Sequence, residues 1–560
     1  MRKPNLAGVA LAQLVGLALG ATALAAQTPP DYSVRQLSPS GEAASRVGWA
    51  RRIDSRGEWV VFVGDVETAG AEAVYAVRRN GSDLHRLSPY GALGAINGLY
   101  LSTDGRRVPY MGDLEVNGLV ELWSVELWGT PASAVKLNVP VTGSGAGTVR
   151  VPGSGERIVY LAETAGGKQV WSVPAAGPAA ANLRLDPAAV GDETILNATI
   201  RPDGVQVAIQ YVDTVAATTR IVSVPIVGPP AAAVTLADAN PGGCGAYFAD
   251  FTPDSSRLVY AAFCPVGMSF VLNQLWSVPA TGPAGAAVSL GGSFADGGAI
   301  SSLLLSPDGQ WVVFRADRLV DERFELWSVP VAGPAAAIVR LNPTLVANGD
   351  VIDTFRISPD STHVAYIADQ ASDERFFPYA VPIAGPSTAA VSLYQGVLAV
   401  AADATDLDFT PDSSRVVFRF DLAVDERFDL YQAPTDGSTP HSRITNRGVP
   451  PAPARSVTPT WLVHPDGQRV IYIYDELAAG DQRGLGEQRL TAPYTTDARL
   501  NAVPVTGGQV NDLQLYPDGT GMVYRSDEVV NDKFELFTVD LRLFGDGFED
   551  GATDAWPDAP

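Results

Sequence analysis

Residues Ser306–Pro330 read SPDGQWVVFRADRLVDERFELWSVP. Two short apolar runs, WVVF and ELWSV, are separated by a charged segment and preceded by a Pro-Asp-Gly turn signal. Runs this short, rich in Val, Phe and Trp and bounded by turn residues, mark β-strands, because branched and aromatic side chains pack well on a pleated surface. The phrase also recurs: DERFELWSVP from Asp321 is echoed by DERFFPYAVP from Asp373 and DERFDLYQAP from Asp425. The acidic residues are therefore either three copies of a site or one structural landmark.

Turn signals of the same kind run along the whole chain, at Asp54, Asp104, Ser154, Asp203, Asp254, Asp308, Asp360, Asp412, Asp466 and Asp518. Successive gaps are 50, 50, 49, 51, 54, 52, 52, 54 and 52 residues. A unit of about fifty residues holding four short strands, here named a to d, describes a β-propeller blade. In the unit that begins near Asp350, strand a ends at the PDS turn, STHVAYIAD gives b, FFPYAVP gives c and AVSLY gives d. Apolar side chains on both faces of strand c (Phe324, Leu326, Trp327, Val329) fit a sheet sandwiched between two neighbours.

The expected fold is all-β: about ten four-stranded blades over residues 31–543, in one large ring or two smaller rings. YSVRQLS from Tyr32 matches strand d, and the last unit stops after strand c, KFELFTVDL from Lys533. The N-terminal strand is therefore expected to complete the last blade, which removes two exposed edges.

The SPDGQWVVFRAD and FELWSVP phrases resemble the repeats of TolB-type propellers, which also build the propeller domains of prolyl oligopeptidase-type enzymes. The resemblance implies the fold and leaves function open, because such rings serve many purposes. TolB itself carries an α/β domain ahead of six blades, so this chain is not TolB in the strict sense. Peptidases of this type need a Ser in a G-x-S-x-G elbow, and the sequence has none.

The first 25 residues have a basic tip (Arg2, Lys3), an apolar run and an Ala-x-Ala pattern at Ala23 and Ala25, as expected of a signal peptide. The mature chain is then expected to be exported, to the periplasm, cell surface or medium of a bacterium, as a monomer without a transmembrane segment. Hydrophobic residues make up 46% and formal net charge is -23, or -25 once Arg2 and Lys3 are removed. That charge disfavours nucleic acid as a partner and leaves proteins, peptides and glycans open.

The four histidines have no metal-ligand spacing, and His363 and His464, beside a-b turns, are expected to be solvated. Cys244 and Cys264 lie ten residues either side of Asp254, so a hairpin would place them opposite each other as a disulfide. A reactive thiol pair is the alternative.

If the strands alternate up and down, the b-c loops share one face and carry most of the acids. They include Asp317, Asp321 and Glu322; Asp369, Asp373 and Glu374; and Asp421, Asp425 and Glu426. Asp353, Asp406 and Asp512 are expected to point from the same side toward the central channel. The loop acids are also calcium candidates, although they lack the D-x-D-x-D-G spacing of known loop sites. No other cofactor is implied.

The expected function is a non-catalytic binding scaffold acting through this acidic face or the channel mouth. The alternatives are a lyase- or glycosidase-type enzyme using channel carboxylates, or a calcium-stabilised envelope protein. Residues 544–560, which include FGDGFEDGATDAWP, leave the repeat as an acidic tail and resemble a DGFE-G-AW ending of exported proteobacterial proteins.

Overall fold

A computed structural model describes residues 34–38 and 47–541, apart from loop segments at 91–94, 239–244, 397–401, 446–454, 477–481 and 493–497 and some shorter gaps. The expected leader (1–25), the tail (544–560), Cys244 and Asp425 lie outside the described residues.

Ten four-stranded antiparallel sheets follow one another along the chain, each in the order a-b-c-d. Blade six shows how the sequence makes one. Strand a (Ile300–Leu305) turns at Asp308, whose Oδ1 accepts the Gln310 amide at 2.9 Å. Gly309 takes a φ of 71° there, a conformation that costs a Cβ-bearing residue energy. Strand b (Trp311–Ala316) then pairs with strand c (Glu325–Pro330), Val312 opposite Val329 and Phe314 opposite Trp327. Val312, Val313 and Phe314 are fully buried.

The tenth sheet is built from both ends of the chain. Strands a, b and c of blade ten are Val510–Leu515, Gly521–Ser526 and Glu535–Asp540, and Val34–Gln36 supplies the outer strand, Val34 opposite Val539. The expected closure is present.

Every blade packs on the next through buried apolar clusters, and the series returns to its start. Val60 and Phe62 of blade one share a cluster with Val523 and Leu536 of blade ten. Blades six, seven and eight share another, from Val313 to Phe418. Burying such side chains stabilises by roughly 1.5–3 kcal/mol each. The ten blades therefore form one ring, and the two-ring arrangement is not adopted. Strands a contact one another from blade to blade, so they are innermost and line the channel.

The a-b turns add a second seam. In the PDS versions Ser255, Ser361 and Ser413 take φ of 61° to 62°. Their hydroxyls accept the amides of Asp203, Asp308 and Asp360 from the preceding blade at 3.0–3.1 Å. Serine thus tolerates a glycine-like conformation and gains an inter-blade hydrogen bond.

His464 departs from expectation. It is 3% exposed, and its Nε2 lies 2.7 Å from the Gly519 carbonyl of the next blade. It occupies the position of Ser306 and Ser358, which support the turn from inside, so proximity to a turn did not mean contact with water.

Candidate functional site

The acidic b-c loops are built around one buried carboxylate. Asp317, Asp369 and Asp421 are only 2–4% exposed. One oxygen of each accepts the amide five residues on, from Glu322 (2.9 Å), Glu374 (3.1 Å) and Glu426 (3.1 Å). The other accepts the amide just before strand a of the same blade, from Ala299, Asp350 and Asp403 at 2.5–2.6 Å. Asp527 repeats both bonds with Asp532 and Gln509. Each aspartate thus fixes its own loop and the connection entering its blade.

The connection reaches back one blade further. Asp350 accepts the Phe324 amide at 2.7 Å and Asp403 accepts the Phe376 amide at 2.9 Å. The aromatic residue of DERF is therefore anchored by the following blade. It also carries an arginine: the guanidinium of Arg315 lies 3.9 Å over Phe324, Arg419 lies 3.6 Å over Phe428 and Arg525 lies 3.9 Å over Phe534. These arginines donate to the carbonyls of Val351, Val457 and Val47 in the next blade. Burial pulls the Arg419 and Arg525 pKa values down to about 10.

Glu322, Glu374 and Glu426 take φ of 55° to 58° and are exposed, as are Asp321 and Asp373. Arg323 and Arg427 donate to the Leu345 and Arg455 carbonyls, which is a structural use of the positive charge that follows each acidic pair. No three His, Cys, Asp or Glu side chains converge as metal ligands among the described residues. The calcium candidates Asp317, Asp369 and Asp421 already spend both oxygens on main-chain amides.

The second expected group lies on the innermost strands. Asp512 pairs with Arg51 of blade one at 2.6 Å, Asp406 lies 3.9 Å from Arg356 of blade seven, and Asp353 accepts the Ser302 hydroxyl of blade six. These three aspartates are thus brought to the channel wall, each tied to an adjacent blade. Burial in that wall, the leading cause, raises the pKa of Asp406 and of Asp408 on the same strand. Cys264, on strand b of blade five, is 7% exposed, and no free cysteine occurs among the described residues. Its expected partner Cys244 is not described, so the bridge is retained as a proposal.

A further set of channel residues carries no repeated sequence signal. Five residues before each turn residue of positive φ, strand a presents a side chain at a common ladder level. Arg52, Arg150, Asp250, Arg356 and Asp408 stand there opposite Val61, Val159, Val259, Ala365 and Val417. Tyr100 holds the same place in blade two. Arg52, Tyr100 and Arg150, from three consecutive blades, line a groove of about 430 Å³ at the a-b turn end of the channel. Burial raises the Tyr100 pKa, while the charges of Arg150 and Arg52 pull it the other way. Sequence reading missed this cluster because the position changes residue type from blade to blade, and only the offset from the turn reveals it.

No family model and no curated protein matches the chain. Among solved structures it is similar to an oligogalacturonate lyase in complex with manganese, at 12% identity, covering 70% of this chain and 96% of the other with a TM-score of 0.34. It is similar to a prolyl endopeptidase at 12% identity, covering 68% of this chain and 54% of the other with a TM-score of 0.34. Prolyl oligopeptidase B from Galerina marginata gives 11% identity, 70% and 56% coverage and a TM-score of 0.35. The chain thus spans little more than half the length of the two prolyl peptidases. None of these matches shows membership of a TolB-type family.

Proposed function

We propose that the chain is an exported, non-catalytic β-propeller that binds a protein, peptide or glycan partner through its channel mouth. One observation carries the reading. The buried loop aspartates that repeat evenly, Asp317, Asp369, Asp421 and Asp527, are hydrogen-bonded into the architecture, whereas the side chains exposed along the channel differ from blade to blade. Even repetition suits structure, and local difference suits recognition of one ligand. The exposed loop acids, Asp321, Glu322, Asp373 and Glu374, add a negative field on the opposite face that would steer a basic surface toward the ring.

A second reading has one observation in its favour. Asp406 and Asp408 lie two apart on strand a of blade eight with raised pKa values, and perturbed carboxylates facing a channel suit acid-base chemistry. The two readings separate in one experiment. The purified mature chain is assayed for turnover of a polysaccharide and peptide panel, and is immobilised to capture partners from envelope extract. The scaffold reading expects specific capture without turnover. Turnover that is lost in Asp406→Asn or Asp408→Asn would replace it with the enzyme reading.

A further inference from the structure

The groove between blades one, two and three is unusual in its charge. The chain holds 62 acidic against 39 basic residues, so a guanidinium has many carboxylates to pair with. Arg51 pairs with Asp512, and Arg356, at the ladder level of the groove, has Asp406 within 3.9 Å. Arg52 and Arg150 differ: no carboxylate among the described residues pairs with either. The hydrogen bond found for each runs only to the carbonyl of the preceding residue, Arg51 at 2.7 Å and Val149 at 3.3 Å. Most of each guanidinium fork therefore remains directed at solvent in the groove, where the channel wall lowers the effective dielectric and strengthens attraction to an anion.

The remaining lining selects among anions. Tyr100 and Ser55 supply polar groups, the Ser102 and Thr103 hydroxyls being donated to Asp104 and to the Gly153 carbonyl, and Ile53, Leu101, Val149 and Val151 make the walls aliphatic. A glycan is recognised chiefly through aromatic faces and dense hydrogen bonding, whereas aliphatic walls beside two forks fit apolar side chains alternating with carboxylates. We infer that this groove is a binding site for an acidic peptide segment, with Arg52 and Arg150 holding carboxylates on either side of Tyr100. The inference rests on the scaffold reading and names its ligand class. Neither the leader nor the acidic loops take part, and the site lies on the face opposite those loops.

Fluorescence anisotropy on the full mature chain tests it, with fluorescein-labelled (Asp-Leu)4 as the probe and (Asn-Leu)4 as the uncharged control. Expected is saturable binding of the acidic probe that weakens with added salt, and none of the control. Arg52→Gln combined with Arg150→Gln should weaken binding at least tenfold, while Arg78→Gln, whose guanidinium pairs with Asp83 outside the groove, should leave it unchanged. Should the double Gln variant fold poorly, the double Lys variant keeps both charges and loses only the fork, and should bind between wild type and Gln. Absence of probe binding, or equal binding by the Gln variant, overturns the site. Sodium polygalacturonate that displaces the probe and binds more tightly than it overturns the peptide assignment. Failure here with capture intact and no turnover leaves the scaffold reading standing, whereas turnover removes the reading beneath it.

Discussion

Arg525 of blade ten donates its Nε–H to the carbonyl of Val47 in blade one at 2.8 Å, joining residues 478 positions apart. The same bond joins Arg315 to Val351 and Arg419 to Val457, so the seam that closes the ring uses the device that joins its interior blades. Closure is a repeat of the local rule rather than a special contact.

One feature of that seam is weaker. The first acid of strand c is buried against a base on strand d: Glu121 with Lys136, Glu325 with Arg340 at 2.9 Å, and Asp429 with Arg443 at 2.7 Å. In blade ten Glu535 is 1% exposed, its Oε2 has no partner, and strand d offers Gln36 at the matching register. Gln36→Arg should restore the pair and stabilise the closure by about 1–3 kcal/mol, as for hydrogen bonds to charged groups. A rise in the thermal midpoint, with little change for Arg35→Gln at the exposed neighbouring position, is the measurement.

Stability should peak on the mildly acidic side of neutrality. Burial, the leading cause, raises the pKa of Asp250, Asp369, Asp408, Glu528 and Glu535. Folded protein then binds more protons than unfolded chain above the ordinary carboxylate range, so stability grows as pH falls from neutrality toward that range. The turn aspartates work oppositely. In Asp104, Asp254 and Asp360 burial pushes upward but hydrogen bonds within the turn outweigh it, and in Asp412 the Thr410 hydroxyl leads the lowering. Their contribution is present above the unfolded value of 3.8 and lost below it. Chemical denaturation at a series of pH values should trace a maximum between those limits; a midpoint that only rises toward neutral pH contradicts this balance.

Cys264 on strand b of blade five and Cys244 are expected to form one disulfide. Mass spectrometry of the exported chain, alkylated without reduction, should show neither cysteine labelled, and both labelled after reduction. Labelling at both before reduction would count against the bridge. Cys244→Ser should lower the thermal midpoint of the oxidised protein, as loss of a native crosslink typically costs 2–5 kcal/mol in small domains and, in a ring this large, is about that or less.

The strands, the ten units and the N-terminal closure were legible because each leaves a signal in the sequence: short apolar runs such as WVVF bounded by turn residues, a spacing of about fifty between turns, and a strand-d match at Tyr32. The Asp308 turn was legible too, because its chemistry is local. The role of Asp317 was not: the sequence displays its charge, while the destination of its two oxygens is a main-chain amide eighteen residues back and another five ahead. His464 was misjudged for a related reason, since its partner lies in another blade. The choice of one ring over two depended on curvature summed over ten interfaces. The Arg52, Tyr100 and Arg150 groove was hidden because it is defined by a register shared among blades and not by a motif within one.

A buried aspartate holds each repeated DERF loop together, which makes the loops architecture and not copies of a site. Asp369 and Asp373 separate the alternatives within one loop: the first is 2% exposed with two amides on its carboxylate, and the second is exposed with only the Asn348 amide at 3.4 Å. Unfolding free energies of Asp369→Ala and Asp373→Ala, measured by denaturant titration beside wild type, decide it. The expected result is a loss of roughly 1–3 kcal/mol for each amide orphaned in Asp369→Ala and a change within about 0.5 kcal/mol for Asp373→Ala. An Asp369→Ala variant as stable as wild type would contradict it.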